Sequence, residues 1–323
     1  MRPVLLALVI APLCTTPALA QETFPSRPIT IVVGISPGTS ADLIARSFGT
    51  KLSERLKQPV VIENRVGASG RIGLDYTAKA APNGYTLALM VNSYTFLPVL
   101  AKNLPFDLVT DFAPIAKVAT APLALAVHPS VPAKDLRELM ALVKANPGKY
   151  TYATPGNGTI QHVSMEMLKL ELGLNVLHVP HKAIADATSN LVGGHVDMTF
   201  GSAPTLVTLA ASGKLRLLAM TGSSMPGTAS ASVPTLAELG YPSLGAITQW
   251  YGFIAPAKTP AAIVSRLNRE LRQIVEMPEV RATLIDKQGL GVDVGSPEEL
   301  GALIRADLER WRRVVREAKI SIE

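Results

Sequence analysis

The sequence predicts an α/β protein of two domains, with largely parallel sheets and helices on both faces of each sheet. Short apolar runs without polar alternation recur along the chain, which is the pattern of strands buried on both faces. Segments with apolar residues at helical spacing lie between these runs, and such strand–helix alternation is typical of parallel sheets. The chain of 323 residues is long enough for about two domains.

Nine apolar runs are predicted as strands because each is too short to form a helix. The units at 29–56 and 150–172 resemble each other, since each has a glycine-bearing loop between strand and helix. Two such units facing one another would form a cleft between the domains, where ligands usually bind. The predicted strands are 29–33, 60–63, 85–91, 123–127, 150–153, 176–179, 196–200, 215–221 and 250–255.

Three of the predicted helices carry clear signals. Apolar residues at intervals of four give residues 44–56 one buried face. Thr259 and Pro260 begin a second helix, and Ser296 forms a capping box with Glu299 at the start of a third. These helices are predicted to pack on the sheets.

Two proline-rich stretches set the expected domain boundaries. The sequence contains no low-complexity linker, so the crossings between domains are expected near 121–122 and 242–248. One domain is therefore predicted to comprise 21–121 together with 248–323, and the second to comprise 122–247.

The first 20 residues have the features of a secretory signal peptide. Arg2 precedes an apolar run from Val4 to Leu13, and small residues at positions 18 and 20 match a cleavage site. We therefore expect removal of 1–20 and export of the protein. Cys14 is the only cysteine and would leave with the signal, so neither a disulfide nor a thiolate metal site is expected.

The composition excludes several classes of protein. Hydrophobic residues make up 48% of the chain and charged residues 17%, which argues against disorder. The net charge of +6 is scattered and aromatic residues are only 5%, so nucleic acid is not an expected partner. His178 and His181 have H-x-x-H spacing, but the rings would point apart at a strand end and no acidic cluster accompanies them. No metal site is predicted.

The loop at 34–42 has features of an anion site. Gly38 permits close approach of the backbone. Thr39 or Ser40 can cap the following helix, and Asp42 can complete a capping box. The free N–H groups and the positive end of the helix dipole favour an anion there. A well-capped helix without a ligand remains an alternative.

The loop at 154–159 has the same character. Thr159 is a good cap for a helix with an apolar face at Val163, Met167 and Leu170. His162 lies in the first turn of this helix, where capping or packing is the expected role rather than catalysis.

Two motifs in the chain suggest other functions, and chemistry disfavours both. Residues 34–38 match the G-x-S-x-G pattern of a hydrolase nucleophile elbow, but the residue after Ser36 is Pro37, which has no N–H for an oxyanion hole. The glycine-rich stretch 67–73 invites a dinucleotide interpretation, yet tight strand–helix packing is favoured. We therefore expect neither catalytic residues nor a cofactor.

A series of motifs occurs in order along the chain after the signal. They are ITIVVGISPGTSAD (29–42), VVIENRVGASGRIG (60–73), AAPNGYTL (80–87), DFAP (111–114), NPGKYTYATPGNGTIQH (146–162), VPTLAELG (233–240) and the stretch from Trp250 to Pro256. Together they resemble the Bug family, the extracytoplasmic solute receptors of tripartite tricarboxylate transporters. The resemblance covers essentially the whole chain beyond residue 20.

The resemblance implies a periplasmic binding protein of type II, with two α/β domains that close on a ligand like a Venus flytrap and two hinge crossings. It implies a small carboxylate or dicarboxylate ligand, aliphatic or aromatic, held between the loops 36–42 and 154–162. Membrane transporter subunits are the implied partners, a sensor kinase is an alternative, and a monomer is expected. The candidate ligand-binding residues are Ser36, Gly38, Thr39, Ser40, Asp42, Asn92, Ser93, Asn157, Gly158, Thr159 and His162.

The sequence departs from the family pattern at several positions. Thr39 stands where the family usually has a second glycine, and an aspartate is common where Asn190 stands. The family usually reads V-P-Y-K-G where this chain has V-P-H-K-A at 179–183. The segment 181–190 shapes the distal end of the pocket in such proteins. His181, Lys182 and Asp186 are therefore further candidates, and they would select the far end of the ligand.

Overall fold

The computed structural model describes residues 24–100, 103–222, 230–286 and 288–317. The predicted signal peptide and its cleavage site lie outside these residues. No helix in the described part of the chain is both long and apolar enough to cross a membrane.

The fold is α/β, as the sequence predicts, and its strands form one curved mixed sheet. The order along the sheet is β2-β1-β3-β9-β4-β7-β5-β6, and β8 pairs with β4. The strands are β1 (Ile29–Val33), β2 (Val60–Asn64), β3 (Thr86–Val91), β4 (Phe112–Val127), β5 (Thr151–Thr154), β6 (Leu177–Pro180), β7 (Met198–Ser202), β8 (Arg216–Met220) and β9 (Thr248–Pro256).

Helices follow most of the strands and cover the sheet. They are α1 (Ser40–Leu56), α2 (Arg71–Ala78), α3 (Leu97–Leu100), α4 (Leu136–Ala145), α5 (Ile160–Leu172), α6 (Ile184–Val192), α7 (Ala203–Ala211), α8 (Pro242–Gly245), α9 (Ala261–Val275), α10 (Pro278–Arg281) and α11 (Pro297–Glu317). Single 3-10 turns lie at Ala68–Gly70 and Asn92–Phe96, and a π-type turn at Ala282–Asp286.

The two halves of the sheet meet on β4. Its first part pairs with β9, up to the pair Pro122 and Thr248, and its last five residues pair with β7 and β8. The outer strands pair in parallel, β1 with β2 and β3, and β5 with β6 and β7. Pairing along β4 and β9 is antiparallel. The sheet is therefore less dominated by parallel pairs than predicted.

β4 is longer than the predicted strand, since it begins at Phe112 rather than at 123. Pro114 and Pro122 gave this region the composition of a loop, because proline cannot donate to a sheet ladder. The sheet accommodates the segment through register shifts after Pro114 and after Lys117. The second proline-rich stretch, at 242–248, ends where β9 begins at Thr248.

Separate hydrophobic cores support the two halves. One core lies under β1, β3 and β9 with α1, α9 and the start of α11, and the others lie around β5, β7 and β8. The end of α11 joins the second half: Trp311 and Val314 pack there with Phe96, whose ring lies 4.6 Å from that of Trp311. The last helix thus braces both halves.

Local helix signals are reproduced closely in the structure. The capping box at α11 is confirmed: the backbone N–H of Ser296 donates to Glu299 at 2.7 Å, and the N–H of Glu299 donates to the Ser296 hydroxyl at 3.1 Å. The predicted face of α5 is wrong at Leu170, which is 45% exposed. Residues 160–168 are instead buried throughout, because this helix is enclosed on several sides.

Candidate functional site

A cavity of about 660 Å³ lies between the two halves of the sheet. Its walls are residues 34–36 after β1, 66–71 after β2, residues 93, 94, 96 and 97 after β3, residues 155 and 157–159 after β5, and Lys182 after β6. Each of these segments follows the carboxyl end of a strand, and such ends are where open α/β sheets bind ligands. Topology therefore places the cavity where the sequence predicts a cleft.

The first loop is held by buried Asp42. This side chain is 2% exposed and accepts a hydrogen bond from the Gly38 N–H at 3.0 Å. It also accepts from Arg46 at 2.9 Å and from Asn64 at 3.0 Å. Burial alone would raise the pKa of the Asp42 carboxyl, but these hydrogen bonds outweigh it and hold the pKa below its ordinary value. Asp42 therefore fixes the loop from behind.

The second loop repeats this arrangement with a different residue behind it. The Gly158 N–H donates to Nδ1 of His162 at 3.1 Å. Thr159 caps α5, and its hydroxyl donates to the Gly156 carbonyl at 2.8 Å. In the first loop the Thr39 hydroxyl likewise donates to the carbonyl three residues earlier. The two loops share a Gly-Thr-x-x-Asp/His pattern, in which the side chain of the last residue accepts a hydrogen bond from the N–H of the glycine.

His162 belongs to a stack of rings under the second loop. Its ring lies 4.2 Å from that of His178, which stacks in turn on Tyr152 at 4.7 Å. The Tyr152 hydroxyl donates to Glu166, which also pairs with Lys169 at 2.7 Å. Burial lowers the pKa of His162, and burial with the neighbouring His162 lowers that of His178 to about 4. Both rings are neutral at neutral pH, which leaves Nδ1 of His162 free to accept.

The turn after β2 is a wall of the cavity that the sequence interpretation missed. Residues 67–70 all have positive φ, at 142°, 47°, 56° and 90°. Tight packing is also present, since a Cβ at Gly73 would lie 3.2 Å from the Gly34 backbone. The missed signal is topological: β2 is parallel to β1, so its carboxyl end must lie at the same edge of the sheet.

Tyr94 lies across this turn, beside Gly34 and Gly70. The side chain is 1% exposed, and its hydroxyl has no hydrogen-bond partner among the described residues. Gly34 approaches the phenol oxygen without the geometry of a full hydrogen bond. Burial raises the pKa of the Tyr94 hydroxyl, so it remains a neutral donor at the cavity wall.

The structure divides the predicted site residues into two groups. Ser36, Ser93, Asn157, Gly158, Thr159 and Lys182 line the cavity. Gly38, Thr39, Ser40, Asp42, Asn92, His162, His181 and Asp186 lie outside its lining.

Three residues outside the lining have other surroundings: Asn92 and His181 contact backbone carbonyls, and Asp186 is exposed. Asn92 is buried and donates to the Thr248 carbonyl at 3.0 Å, which ties the end of β3 to the start of β9. Nδ1 of His181 lies 3.0 Å from the Val179 carbonyl, so its ring turns back along β6. Asp186 is exposed in the first turn of α6.

The lining is electrostatically one-sided. Its charged side chains are Arg71 and Lys182, and no acidic side chain lines it in the part of the chain that the structure describes. Hydroxyls, an amide and backbone N–H groups provide the remaining polarity. A concave site with net positive charge attracts anions.

The geometry does not assemble a hydrolase centre at Ser36. Within the described residues its hydroxyl makes no hydrogen bond to a histidine, and Pro37 removes the N–H that an oxyanion hole would need.

Comparison with known proteins relates the chain to a family of receptors. A family model described as "Tripartite tricarboxylate transporter family receptor" matches residues 44–320. Protein BugT of Bordetella pertussis is 34% identical over 301 residues, which cover 93% of this chain and 91% of BugT. The R. palustris protein Rpa4515, solved with adipate, is 30% identical with a TM-score of 0.79, covering 92% of this chain and 99% of that one. MatC from Rhodopseudomonas palustris, solved with bound malate, is 30% identical with a TM-score of 0.76 over 90% and 100% of the two chains.

Proposed function

The chain belongs to the tripartite tricarboxylate transporter receptor family, and on this premise we propose that it captures a small carboxylate in the periplasm and presents it to membrane transporter subunits. The observation that carries the proposal is the cavity itself, which has two cationic side chains and no acidic one in its described lining. Adipate and malate in the solved relatives are both carboxylates, which supports the same class of ligand here.

One carboxylate of the ligand would bind between the loop that contains Gly38 and Thr39 and the loop that contains Gly158 and Thr159, together called the Gly-Thr loops. Ser36 offers a hydroxyl from one half and Asn157 an amide from the other, while the Thr159 hydroxyl, which donates to the Gly156 carbonyl, shapes the second loop. Charge-assisted hydrogen bonds from such groups are the strong ones in anion sites. Asp42 and His162 would support the site from outside the cavity lining, because each accepts a hydrogen bond from the glycine N–H of its loop and so fixes the loop's backbone.

The protein would act as a binding protein without catalysis. A monomer would suffice for this function, because both walls of the cavity come from one chain. Sedimentation of the exported protein would establish its oligomeric state.

A thermal-shift and calorimetry screen of carboxylates tests the binding function. A ligand at about 100 times its dissociation constant should stabilise the protein by ~2.7 kcal/mol. Its amide or methyl ester should bind about 10- to 150-fold more weakly, since one charge-assisted hydrogen bond is worth ~1.5–3 kcal/mol.

Paired threonine variants provide the control. Thr159→Val should weaken every carboxylate by a similar factor, whereas Thr50→Val alters an exposed hydroxyl on α1, outside the cavity lining, and should leave binding unchanged. Equal affinity for acid and amide, or equal effects of the two variants, would contradict the proposal.

A further inference from the structure

We propose that His178 is a positioning residue of the carboxylate site, which together with His162 fixes the backbone of the Gly-Thr loop after β5. This inference rests on the proposed carboxylate-binding function and adds a residue on which that site depends. His178 lies outside the cavity lining, and neither the sequence motifs nor the comparisons assign it a role.

Each glycine of this loop donates its N–H to a side chain behind the loop. Gly158 donates directly to Nδ1 of His162 at 3.1 Å. Gly156 donates to the hydroxyl of Thr154 at 3.2 Å, and that hydroxyl lies 2.6 Å from Nε2 of His178. One histidine therefore holds one glycine directly, and the other histidine holds the second glycine through a single hydroxyl.

Asn157 is the cavity residue that this arrangement positions. It stands between the two held glycines and lines the cavity. Gly156 and Gly158 have φ values of +126° and +72°, and glycines at such angles leave the chain free to take other conformations. Hydrogen bonds to both N–H groups remove this freedom, so the Asn157 amide is presented from a defined backbone.

The hydrogen bonds require both rings to act as acceptors. The Thr154 hydroxyl has a single hydrogen, and its alternative acceptor, the Gly156 carbonyl, is 3.3 Å away. That carbonyl already accepts from the Thr159 hydroxyl at 2.8 Å. The hydrogen of Thr154 is therefore assigned to Nε2 of His178. It follows that His178 carries its own proton on Nδ1, whereas His162 carries its proton on Nε2.

The surroundings of the stack keep both rings neutral, as this role needs. The ring centroids lie 4.2 Å apart, so two positive charges would repel each other, and burial lowers the pKa of both imidazoles. Among the described residues, the titratable and charged groups that face the stack are Tyr152 of β5, Glu166 and Lys169 of α5, and His181 after β6. Glu166 would favour a charged ring, but it already binds the Tyr152 hydroxyl and the Lys169 ammonium.

Calorimetry on the full exported protein tests the role of the acceptor. Malate, adipate and benzoate are the probes, and the tightest binder is used for the variants. His178→Phe keeps a ring in the stack but removes the acceptor, so affinity should fall about 3- to 10-fold, which corresponds to one hydrogen bond. His178→Gln can offer its amide oxygen to the Thr154 hydroxyl and should bind within about twofold of the wild type.

His195→Phe provides the matched control. His195 is exposed after α6 and lies outside the cavity lining. The same substitution there should leave the affinity unchanged.

A double variant tests whether His178 acts through the hydroxyl. Thr154→Val removes the same link to Gly156, so it should weaken binding by a factor similar to that of His178→Phe. The two substitutions combined should weaken binding no more than either one alone, because a single link is lost. Independent damage to packing would instead give additive losses.

The tautomers give a second measurement that needs no ligand. Nitrogen-15 NMR of labelled protein at pH 7 should show a protonated Nδ1 and an unprotonated Nε2 for His178, and the opposite pattern for His162. A proton on Nε2 of His178 would overturn the proposed hydrogen bond.

The binding outcomes separate this inference from the proposed function. If His178→Phe binds like the wild type, if His178→Gln is impaired as much as His178→Phe, or if the double variant shows additive losses, the positioning role is overturned and carboxylate binding stands. Failure of all three probes and of every carboxylate in the wider screen overturns both.

Discussion

Replacing Gly70 by alanine should destabilise the protein through two separable effects. Gly70 has a φ of +90°, where an L-residue costs ~1–2 kcal/mol. The new Cβ would lie 2.1 Å from Cε1 and 2.6 Å from Cζ of Tyr94, so the ring must move, and overpacking of this kind costs ~1–3 kcal/mol. The free energy of unfolding should therefore fall by about 2–5 kcal/mol.

Gly38 provides a control, because it also has a positive φ but a side chain added there would meet no neighbouring atom. Its φ is +81°, and no atom lies within 4 Å of a Cβ built there. Gly38→Ala should therefore cost only the backbone component, about 1–2 kcal/mol. Urea denaturation of both variants gives the comparison, and the slope of each transition shows whether two-state unfolding is kept.

A double variant tests whether the Tyr94 ring is the cause. In a Tyr94→Ala background the added methyl at Gly70 meets no ring, so the second substitution should cost only the backbone component, ~1–2 kcal/mol. The displaced ring should also weaken ligand binding, because Tyr94 lines the cavity. If Gly70→Ala proved no more costly than Gly38→Ala, the close packing of Tyr94 on the turn would be refuted.

Two further predictions concern the residues behind the Gly-Thr loops. Asp42→Asn should lower the free energy of unfolding by ~1–3 kcal/mol, because the buried acceptor for Gly38 and Arg46 loses its charge. Urea denaturation of this variant and of an Asp75→Asn control would measure the loss, and equal losses in the two variants would contradict the prediction. The free energy of unfolding should be constant above about pH 6.5 and should decrease as the pH drops toward 4. The cause is that His162 and His178 have lowered pKa values in the folded protein, so between these pH values the unfolded state binds more protons than the folded state. Denaturation at stepped pH measures this slope; His178→Gln should flatten it, and an unchanged slope in that variant would assign the effect to other groups.

Local chemistry in the sequence predicts much of this fold. Apolar runs in the sequence predict the buried strands, and the threonine caps and the capping box at Ser296 predict where helices begin. These signals are reliable because each feature depends only on residues within a few positions of it. β4 was foreshortened because its prolines carry a loop signal that pairing with β9 overrides. The order of residues along a strand does not reveal its partner, so the antiparallel centre of the sheet was not foreseen.

The candidate site was predicted only where a motif supplies it. Ser36, Asn157 and Thr159 lie in loops whose glycines and caps suggest an anion, and they line the cavity. The turn at 67–70 was interpreted as packing, since glycines that allow a close approach also allow an unusual backbone. Arg71 and Lys182 line the same cavity although they follow the two end strands of the sheet, β2 and β6, and no local pattern encodes such an arrangement.

The continuous β4 strand has a mechanical consequence for the cleft. The two halves share this hydrogen-bonded ribbon rather than a loose tether, and α11 braces them through Trp311, whose indole N–H donates to Thr95 at 2.8 Å. A change in cleft width must therefore bend a strand and shift a buried ring, so the empty receptor should sample a narrow range of widths. Because the empty receptor would be stiff, little conformational entropy should be lost when the ligand binds. The surface that contacts the ligand should therefore be largely formed before binding.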